Sequence, residues 1–352
     1  RRGDAPVDDG VAPGLPWLGA LLPPSPLHHL LAADLAFPLV ATSGNRSGEP
    51  VCTDPDQALR VLAGIADRFL VHDRPIAAPA DDPVVRVIDG APTVLRSGRG
   101  TAPTAVPLPA ALPPTVAWGG HLKAAPAVAA GRTLWLGAHV ADLESVAARE
   151  ALTAGAARLA RLCGVAPAAA LCDRHPDYGS TRLAQNSGLP LRRIGHHAAH
   201  AHACLVEHGR RGPALAVVWD GAGFGDDGTV WGGEFLWVAA DGTVRRVATL
   251  RRFLLPGGDR AAREPRRSAA GVLAQILGPE AALARLPAFA PDEAAAVRRM
   301  LERGVNTPST SAAGRLFDAA AALAGICPRA THEGQAAMAW EALAVDAAPY
   351  PL

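Results

Sequence analysis

Short apolar runs, interrupted by proline and glycine, alternate with alanine-rich segments along most of the chain. Apolar runs of four to eight residues with β-branched side chains are typical of strands, and longer alanine-rich segments of helices. The order of the two predicts a mixed α/β protein. The elements predicted in the first third are a helix beginning at Pro26, strands at Phe37–Ala41 and Arg68–His72, a helix over Asp56–Ala66, and a hairpin of Val84–Ile88 and Thr93–Leu95 across Asp89-Gly90.

A proline- and alanine-rich stretch at 102–114 predicts a linker, and the pattern changes after it. The strands predicted beyond it are a strand and tight turn at Val116–Lys123, then Thr133–Leu136, Pro167–Cys172, Ala214–Val218, Trp231–Ala239 and Val244–Leu250, with hairpin turns at Asp227-Gly228 and Asp241-Gly242. The predicted helices are Leu143–Cys163, Ser180–Ser187, Ala198–His208, and segments near 267–277, 291–303, 313–325 and 333–344.

Four histidines lie within seven residues at the start of the predicted helix Ala198–His208. His196 and His200 are four residues apart, so they project from one face and are able to share one ion. Neutral imidazole is a common ligand of zinc and iron. At this spacing a solvated or core-packed histidine pair is equally compatible, and the spacing alone leaves both interpretations open.

Asp220 is the nearest candidate for a third ligand, since it follows the apolar run Ala214–Val218. A glycine-rich segment, Gly221-Ala222-Gly223, comes directly after it and predicts a turn whose backbone N–H groups approach a phosphate. A metal pair beside a phosphate-binding loop indicates nucleotide chemistry.

Three further loops carry polar groups that suit anions or ribose. Ser43 and Asn45 lie in a turn predicted after a strand, although such turns are more often ordinary loop chemistry. Arg99 belongs to a basic glycine loop that suits an acyl or phosphoryl anion. Lys123 follows a predicted strand and is available to a phosphate.

Composition excludes several classes of protein. The 352 residues are 49% hydrophobic and 19% charged with a net charge of +1, so no overall basic field indicates nucleic-acid binding. The five cysteines form no C-x-x-C pair, which argues against a disulfide framework and favours a reducing cytoplasm. No apolar run is long enough to span a membrane. The first residues resemble neither a signal peptide nor an initiator sequence, so a longer parent chain is expected.

Taken together in this order, the motifs resemble those of the HypF family, the carbamoyltransferases of hydrogenase maturation. The motifs that carry the resemblance are Val11-Ala12-Pro13-Gly14, Pro26–Leu31, Thr42–Pro50, Phe69–Ile76, Asp173-Arg174-His175-Pro176-Asp177-Tyr178, His196–His200, Asp220–Gly223, Trp231–Glu234, Asn306-Thr307-Pro308, Gly314–Asp318 and Glu333–Ala337.

The resemblance implies two modules. Residues 1–112 are expected to be the C-terminal part of a YrdC-like domain that forms an acyl-adenylate, and 113–352 a C-terminally incomplete transferase domain of the actin/hexokinase/Hsp70 (ASKHA) type. The implied reaction starts from carbamoyl phosphate and ATP and passes through carbamoyl-adenylate. It ends on the C-terminal cysteine of a HypE-type acceptor protein, where the group becomes the source of cyanide ligands.

The resemblance also implies site roles. A divalent metal, Fe²⁺ or Zn²⁺, would be held by His196, His200, Asp220 and Asp318, and the first three are expected to be catalytic. Asp318 enters by resemblance only, since an isolated aspartate in an alanine-rich helix usually faces solvent. The residues expected to bind nucleotide, phosphate or carbamate are Ser43, Asn45, Arg74, Arg99, Gly119, Gly120, Lys123, Gly221 and Gly223.

Three alternatives stay open at this level. An O-carbamoyltransferase of antibiotic biosynthesis shares both modules but places them in the opposite order. A tRNA threonylcarbamoyl transferase normally lacks the fused YrdC part, and no basic surplus here favours tRNA. A non-catalytic nucleotide-binding remnant is favoured by the expected absence of the front of the YrdC domain and of the end of the transferase domain.

Overall fold

The computed structural model describes residues 7–286 and 289–344, which form a mixed α/β protein. The chain divides into two compact units. One unit takes the described parts of 1–41, 217–235 and 246–352, and the other takes 42–216 and 236–245. Among the described residues, no helix combines the length and apolar character that crossing a bilayer requires.

The first hundred residues contain little regular structure. Helix α1, Pro26–Leu35, begins as predicted, with Ser25 as its cap and proline in the first turn. The other elements are a short turn of 3₁₀ helix at Asp9–Val11, helix α2 at Pro55–Val61, and the hairpin strands β1 at Val84–Ile88 and β2 at Ala91–Arg96. The Asp89-Gly90 turn has positive φ at both residues, as a two-residue hairpin requires.

Two predicted strands in this region are wrong. Phe37–Ala41 and Arg68–His72 contain no strand, and their apolar side chains are largely exposed, with Val40 at 78% and Leu70 at 72%. The predicted helix Asp56–Ala66 is also shorter than expected, since it ends at Val61. The apolar runs are present, but no second layer of described residues buries them.

The predicted linker at 102–114 is instead part of strand β3, Thr104–Ala117, which pairs antiparallel with β4, Ala127–Leu136. Before Thr115, where its parallel partner joins, β3 pairs with a strand on one side only among the described residues. An open edge tolerates proline, which has no N–H to donate, and the β3–β4 register shifts between Pro107 and Thr115.

A four-stranded sheet organises the central part of the chain, in the order β4-β3-β5-β6. Strands β3, β5 and β6 are parallel to one another, so their carboxyl ends lie at the same edge. Helix α3 covers the sheet through Leu152 and Leu159, which belong to the largest buried cluster. The elements that complete this region are α3 at Val146–Leu162, β5 at Ala169–Asp173, α4 at Gly179–Gln185, β6 at Leu191–Ile194 and α5 at His196–Glu207.

A second, five-stranded sheet has the order β10-β11-β8-β7, with β9 paired to β8. Its strands are β7 at Ala214–Phe224, β8 at Val230–Val238, β9 at Val244–Thr249, β10 at Phe253–Leu254 and β11 at Ser309–Thr310. Both predicted hairpin turns of the meander are confirmed, because β7 ends before Asp227-Gly228 and β9 begins after Asp241-Gly242.

Helices dominate the rest of the chain, as predicted. They are α6 at Arg260–Arg263, α7 at Pro265–Leu277, α8 at Pro279–Ala284, α9 at Pro291–Arg303, α10 at Ala313–Leu323 and α11 at Gln335–Ala342. Helices α6 and α8 are not predicted from the sequence, since both are very short. Small side chains such as Ala269 and Ala319 let these helices pack closely around Phe289, Val297 and Leu301.

Candidate functional site

The histidine pair lies at the start of α5, immediately after β6. The two Nε2 atoms of His196 and His200 are 3.3 Å apart. His200 is exposed and His196 is partly buried, whereas His197, between them in sequence, is buried. The predicted helical spacing therefore brings two imidazole nitrogens to one accessible point.

Asp173 contacts His196, the first histidine of the pair. It ends β5, beside β6, and its Oδ2 is 2.6 Å from His196 Nδ1. The carboxylate side chain is 5% exposed. Asp173 begins one of the motifs that carry the family resemblance, but no site role was predicted for it; a carboxylate at the end of a predicted strand was the available signal.

A glycine loop closes the same edge of the sheet. Gly119 and Gly120 follow β3, and a Cβ atom added to Gly120 would lie 3.8 Å from His196 Cε1. Gly119 has a φ of +70°, which favours glycine. Lys123 is exposed, and its backbone N–H donates to Asp142. Ligands of parallel α/β sheets commonly bind at this carboxyl edge.

Aromatic stacking fixes the loop after β5. The His175 and Tyr178 rings stack with centroids 4.0 Å apart, and Tyr178 also stacks on His121 at 5.2 Å. His121 Nδ1 accepts from the backbone N–H of Gly179. These contacts hold the loops after β3 and β5 together, and no local pattern in the sequence predicted them.

The first-module candidates make local contacts of their own. Asn45 donates through its amide to the carbonyls of Arg46 and Glu49, and so closes the turn in which Ser43 is exposed. Arg99 donates two hydrogen bonds to Asp82 Oδ1, at 2.7 and 3.1 Å, and an anion there would compete with this pair. Arg74 is exposed.

In the other compact unit, Asp220 lies inside β7, and the predicted glycine turn after it is wrong. Gly221 and Gly223 continue the strand, which turns only after Phe224. The physical reason is close packing: a Cβ on Gly314, in the first turn of α10, would lie 2.8 Å from Gly221 Cα. Gly221 therefore lies against the backbone of another segment, within a strand where a turn was predicted.

Asp318 is buried in α10, so the general expectation of a solvated aspartate does not hold for it. Its Oδ2 is 3.1 Å from Arg315 Nη2, and both side chains are at most 10% exposed. Burial raises the pKa of Asp318 to about 6, although the Arg315 charge opposes the rise. A Cβ on Gly221 would lie 3.5 Å from Arg315 Nη2, so this ion pair lies beside β7.

The histidine pair fits a metal on geometric grounds. Nitrogens each about 2.0–2.1 Å from one tetrahedral ion are roughly 3.3–3.4 Å apart, which agrees with the 3.3 Å between the two Nε2 atoms. Ligand histidines usually donate their other N–H to a carboxylate, as His196 is placed to do toward Asp173. Asp220 and Asp318 offer the oxygen donors expected of the remaining ligands.

Comparison with known proteins gives three family-model matches. Residues 110–207 match the HypF Kae1-like domain, and 216–351 match the second subdomain of the carbamoyltransferase Kae1-like domain. Residues 1–98 match the Sua5/YciO/YrdC model, which is described as telomere recombination.

Relatives and solved structures agree with these matches. Carbamoyltransferase HypF2 of Cupriavidus necator is 43% identical over 95% of this chain and 44% of its own length. Carbamoyltransferase HypF of Synechocystis is 40% identical over 95% of this chain and 46% of its own. A crystal structure of full-length HypF in a phosphate- and nucleotide-bound form has a TM-score of 0.90 at 34% identity, covering 96% of this chain and 45% of that one. The chain thus spans about half the length of these relatives.

Proposed function

We propose, from the premise that the chain belongs to the HypF carbamoyltransferase family, that it serves carbamoyl transfer in [NiFe]-hydrogenase maturation. Carbamoyl phosphate and ATP give carbamoyl-adenylate, and the carbamoyl group passes to the C-terminal cysteine of a HypE-type acceptor in the cytoplasm. Neither nucleic acid nor a membrane takes part. The chain spans under half of those relatives, so substrates and partner belong to the proposal.

The proposed modules follow the family matches. Residues 1–112 form the YrdC-like part, in which Ser43, Asn45, Arg74 and Arg99 contact nucleotide or carbamate. Residues 113–352 form a transferase domain of the ASKHA type. The match to a YrdC-type model over 1–98 and to Kae1-like models over 110–351 supports this division.

The observation that carries the proposal is the histidine pair at the carboxyl edge of the three parallel strands β3, β5 and β6, beside a glycine loop. We assign His196, His200, Asp220 and Asp318 as ligands of one Fe²⁺ or Zn²⁺. Such an ion, when bound, supplies a Lewis acid that polarises the carbonyl of the carbamoyl donor. The donor chemistry of the four residues and the 3.3 Å nitrogen separation support the assignment.

The chain's own groups then have defined tasks. The backbone of Gly119 and Gly120 and the side chain of Lys123 hold the phosphate oxygens of the adenylate. Backbone groups of Gly221 and Gly223 are assigned to the same phosphate. The acceptor thiolate sulfur forms a bond to the carbamoyl carbon, and the carbon–oxygen bond to AMP breaks. AMP leaves with the electron pair, and the thiol proton goes to solvent.

The first experiment measures metal per chain by elemental analysis after reconstitution with Fe²⁺ or Zn²⁺. We expect about one ion in the wild type and loss of that ion in His200→Ala, because structural and catalytic sites need their full ligand set. His202→Ala is the matched control, since His202 lies on the same helix but contacts the Gly242 carbonyl. No metal in the wild type contradicts the ligand assignment and favours the non-catalytic remnant.

The second experiment supplies carbamoyl-adenylate and an acceptor peptide, and detects carbamoylation by mass spectrometry. The proposal expects transfer to a peptide ending in cysteine and loss of transfer in His200→Ala, with His202→Ala active. Transfer to a hydroxyl acceptor in place of the thiol would support the O-carbamoyltransferase alternative.

A further inference from the structure

The contact between Asp173 and His196 bears on which nitrogen of the His196 ring carries the proton. An ionised carboxylate accepts hydrogen bonds and has no proton to donate. His196 Nδ1 lies 2.6 Å from Asp173 Oδ2, so the imidazole tautomer that donates to such a carboxylate is the one with its proton on Nδ1. In the neutral ring this leaves the lone pair on Nε2, the atom that lies 3.3 Å from His200 Nε2.

Asp173 is itself held in place. Its second oxygen, Oδ1, accepts from the backbone N–H of His175 at 2.8 Å. The Thr181 hydroxyl lies within hydrogen-bond distance of the Asp173 and His175 carbonyls, which ties the turn to the start of α4. The carboxylate therefore has one orientation, set by the end of β5 and the turn after it.

We propose that Asp173 is a positioning residue for the metal centre: it locks His196 in the tautomer whose Nε2 is free of a proton and directs that atom toward His200. This inference rests on the proposed function for its metal but not for its tautomer. Asp173 touches neither donor nor acceptor in this proposal, and acts only through His196.

Asp177 provides a matched control. It lies on the loop that follows Asp173, but its side chain is 72% exposed and pairs with Arg182 at 3.4 Å. Asp177→Asn removes the same charge from the same loop without touching the His196 hydrogen bond. Asp173→Asn keeps the size of the side chain, while its amide accepts less strongly and is also able to donate to Nδ1, which requires the proton on Nε2.

The first readout is the tautomer of His196 in the metal-free protein, measured by long-range ¹H–¹⁵N NMR of the imidazole nitrogens. The His196 signals are assigned by their loss in His196→Gln. We expect the Nδ1–H tautomer in the wild type and in Asp177→Asn, and a shift toward Nε2–H in Asp173→Asn. A wild-type ring in the Nε2–H form, or a tautomer unchanged in Asp173→Asn, overturns the inference.

The second readout is affinity for Zn²⁺, measured by competition with a chromogenic chelator. Loss of an outer-shell partner weakens metal binding by about 10–100-fold, and we expect this in Asp173→Asn alone. Circular dichroism melting confirms that each variant is folded; if Asp173→Asn does not fold, Asp173→Glu takes its place, with a smaller expected loss. Equal affinity in folded Asp173→Asn and wild type contradicts the positioning role.

The two readouts separate the two proposals. A wild type that binds no Zn²⁺ but shows the carboxylate-dependent Nδ1–H tautomer contradicts the metal assignment and leaves the tautomer lock supported. A wild type that binds Zn²⁺ with an Asp173-independent tautomer supports the metal assignment and contradicts the lock.

Discussion

Residues 7–96 and residues 104–344 differ in how many of their described apolar side chains are buried. None of the described side chains of α1 and α2 is buried. In the later region, α3 alone buries five side chains against the central sheet, including Leu152. A described side chain of the first region is therefore far more often in contact with solvent.

This difference explains which predictions were right. A strand is stable when its apolar face packs on a second layer, so an apolar run predicts a strand only where such a layer exists. Phe37–Ala41 has no such layer among the described residues, whereas Ala169–Asp173 lies between two strands and under α3. The β1–β2 hairpin forms in the first region because the Asp89-Gly90 turn is a local signal.

The largest expected effect concerns Glu264, a buried charged side chain in the later region. Glu264 accepts from Arg260, Arg266 and Arg267 at 2.6–2.9 Å, and Arg266 is 1% exposed. Glu264→Gln removes the carboxylate that these three guanidinium groups share, although Arg266 keeps Glu293 at 2.8 Å. We expect the loss to lower the unfolding free energy by about 3–5 kcal/mol, because Arg267, at 6% exposed, stays buried after the carboxylate is removed. Urea unfolding at pH 7 measures it, and Glu302→Gln, in an exposed 3.8 Å pair, is the control.

The stability contributed by Glu264 and its three arginine partners should depend on pH. Burial alone raises the pKa of Glu264, but hydrogen bonds from Arg267, Arg260 and Arg266 outweigh it and lower the pKa to about 2. The stabilisation is therefore complete above the unfolded-state value of 4.5 and is lost as pH falls toward 2. The difference in unfolding free energy between wild type and Glu264→Gln should therefore become smaller as pH falls from 4.5 toward 2. A difference that does not change with pH contradicts the lowered pKa of Glu264.

A smaller effect compares apolar side chains of the two regions directly. Leu152 is 0% exposed and Leu30 is 65% exposed. Leu152→Ala should lower the unfolding free energy by about 2–5 kcal/mol, because it removes buried contacts and leaves a cavity. Leu30→Ala should change it by at most about 0.5 kcal/mol. Urea unfolding followed by circular dichroism measures both, and similar losses for the two would remove the distinction between the regions.

The smallest effect concerns backbone packing beside β7. Gly314→Ala places a Cβ 2.8 Å from Gly221 Cα, and overpacking of this kind costs about 1–3 kcal/mol. Gly155→Ala, in the middle of α3, meets only contacts of 3.8 Å and should stabilise by about 0.4–1 kcal/mol. Thermal melting distinguishes them, since the two alanines should shift the melting temperature in opposite directions.

Part of the candidate site follows from local signals. The four-residue spacing of His196 and His200 places them on one helical face whatever surrounds them, and α5 confirms the predicted helix. The hairpin turns were equally predictable, because Asp-Gly dipeptides fix backbone angles over two residues. The resemblance added Asp318, which spacing did not indicate.

Other parts depended on packing between distant segments. Whether the chain turns or continues a strand at Gly221 depended on the approach of Gly314, over ninety residues away. Whether 102–114 is a linker depended on β4, which supplies a partner for a proline-containing edge. In each case the local sequence is compatible with both structures, a turn or a strand in the first and a linker or a strand in the second. Contact with a segment distant in sequence selects between them.

The α/β class, most helices of the later region, the histidine pair and the family could all be inferred from the amino-acid sequence alone. Three other features depend on tertiary contacts: which apolar runs form strands, the burial of Asp318 beside Arg315, and the contact between Asp173 and His196. The physical reason is range: helix faces and tight turns depend on residues within a few positions. Burial, edge pairing and a carboxylate–imidazole contact across 23 residues exist only once the sheet has brought β5 and β6 side by side.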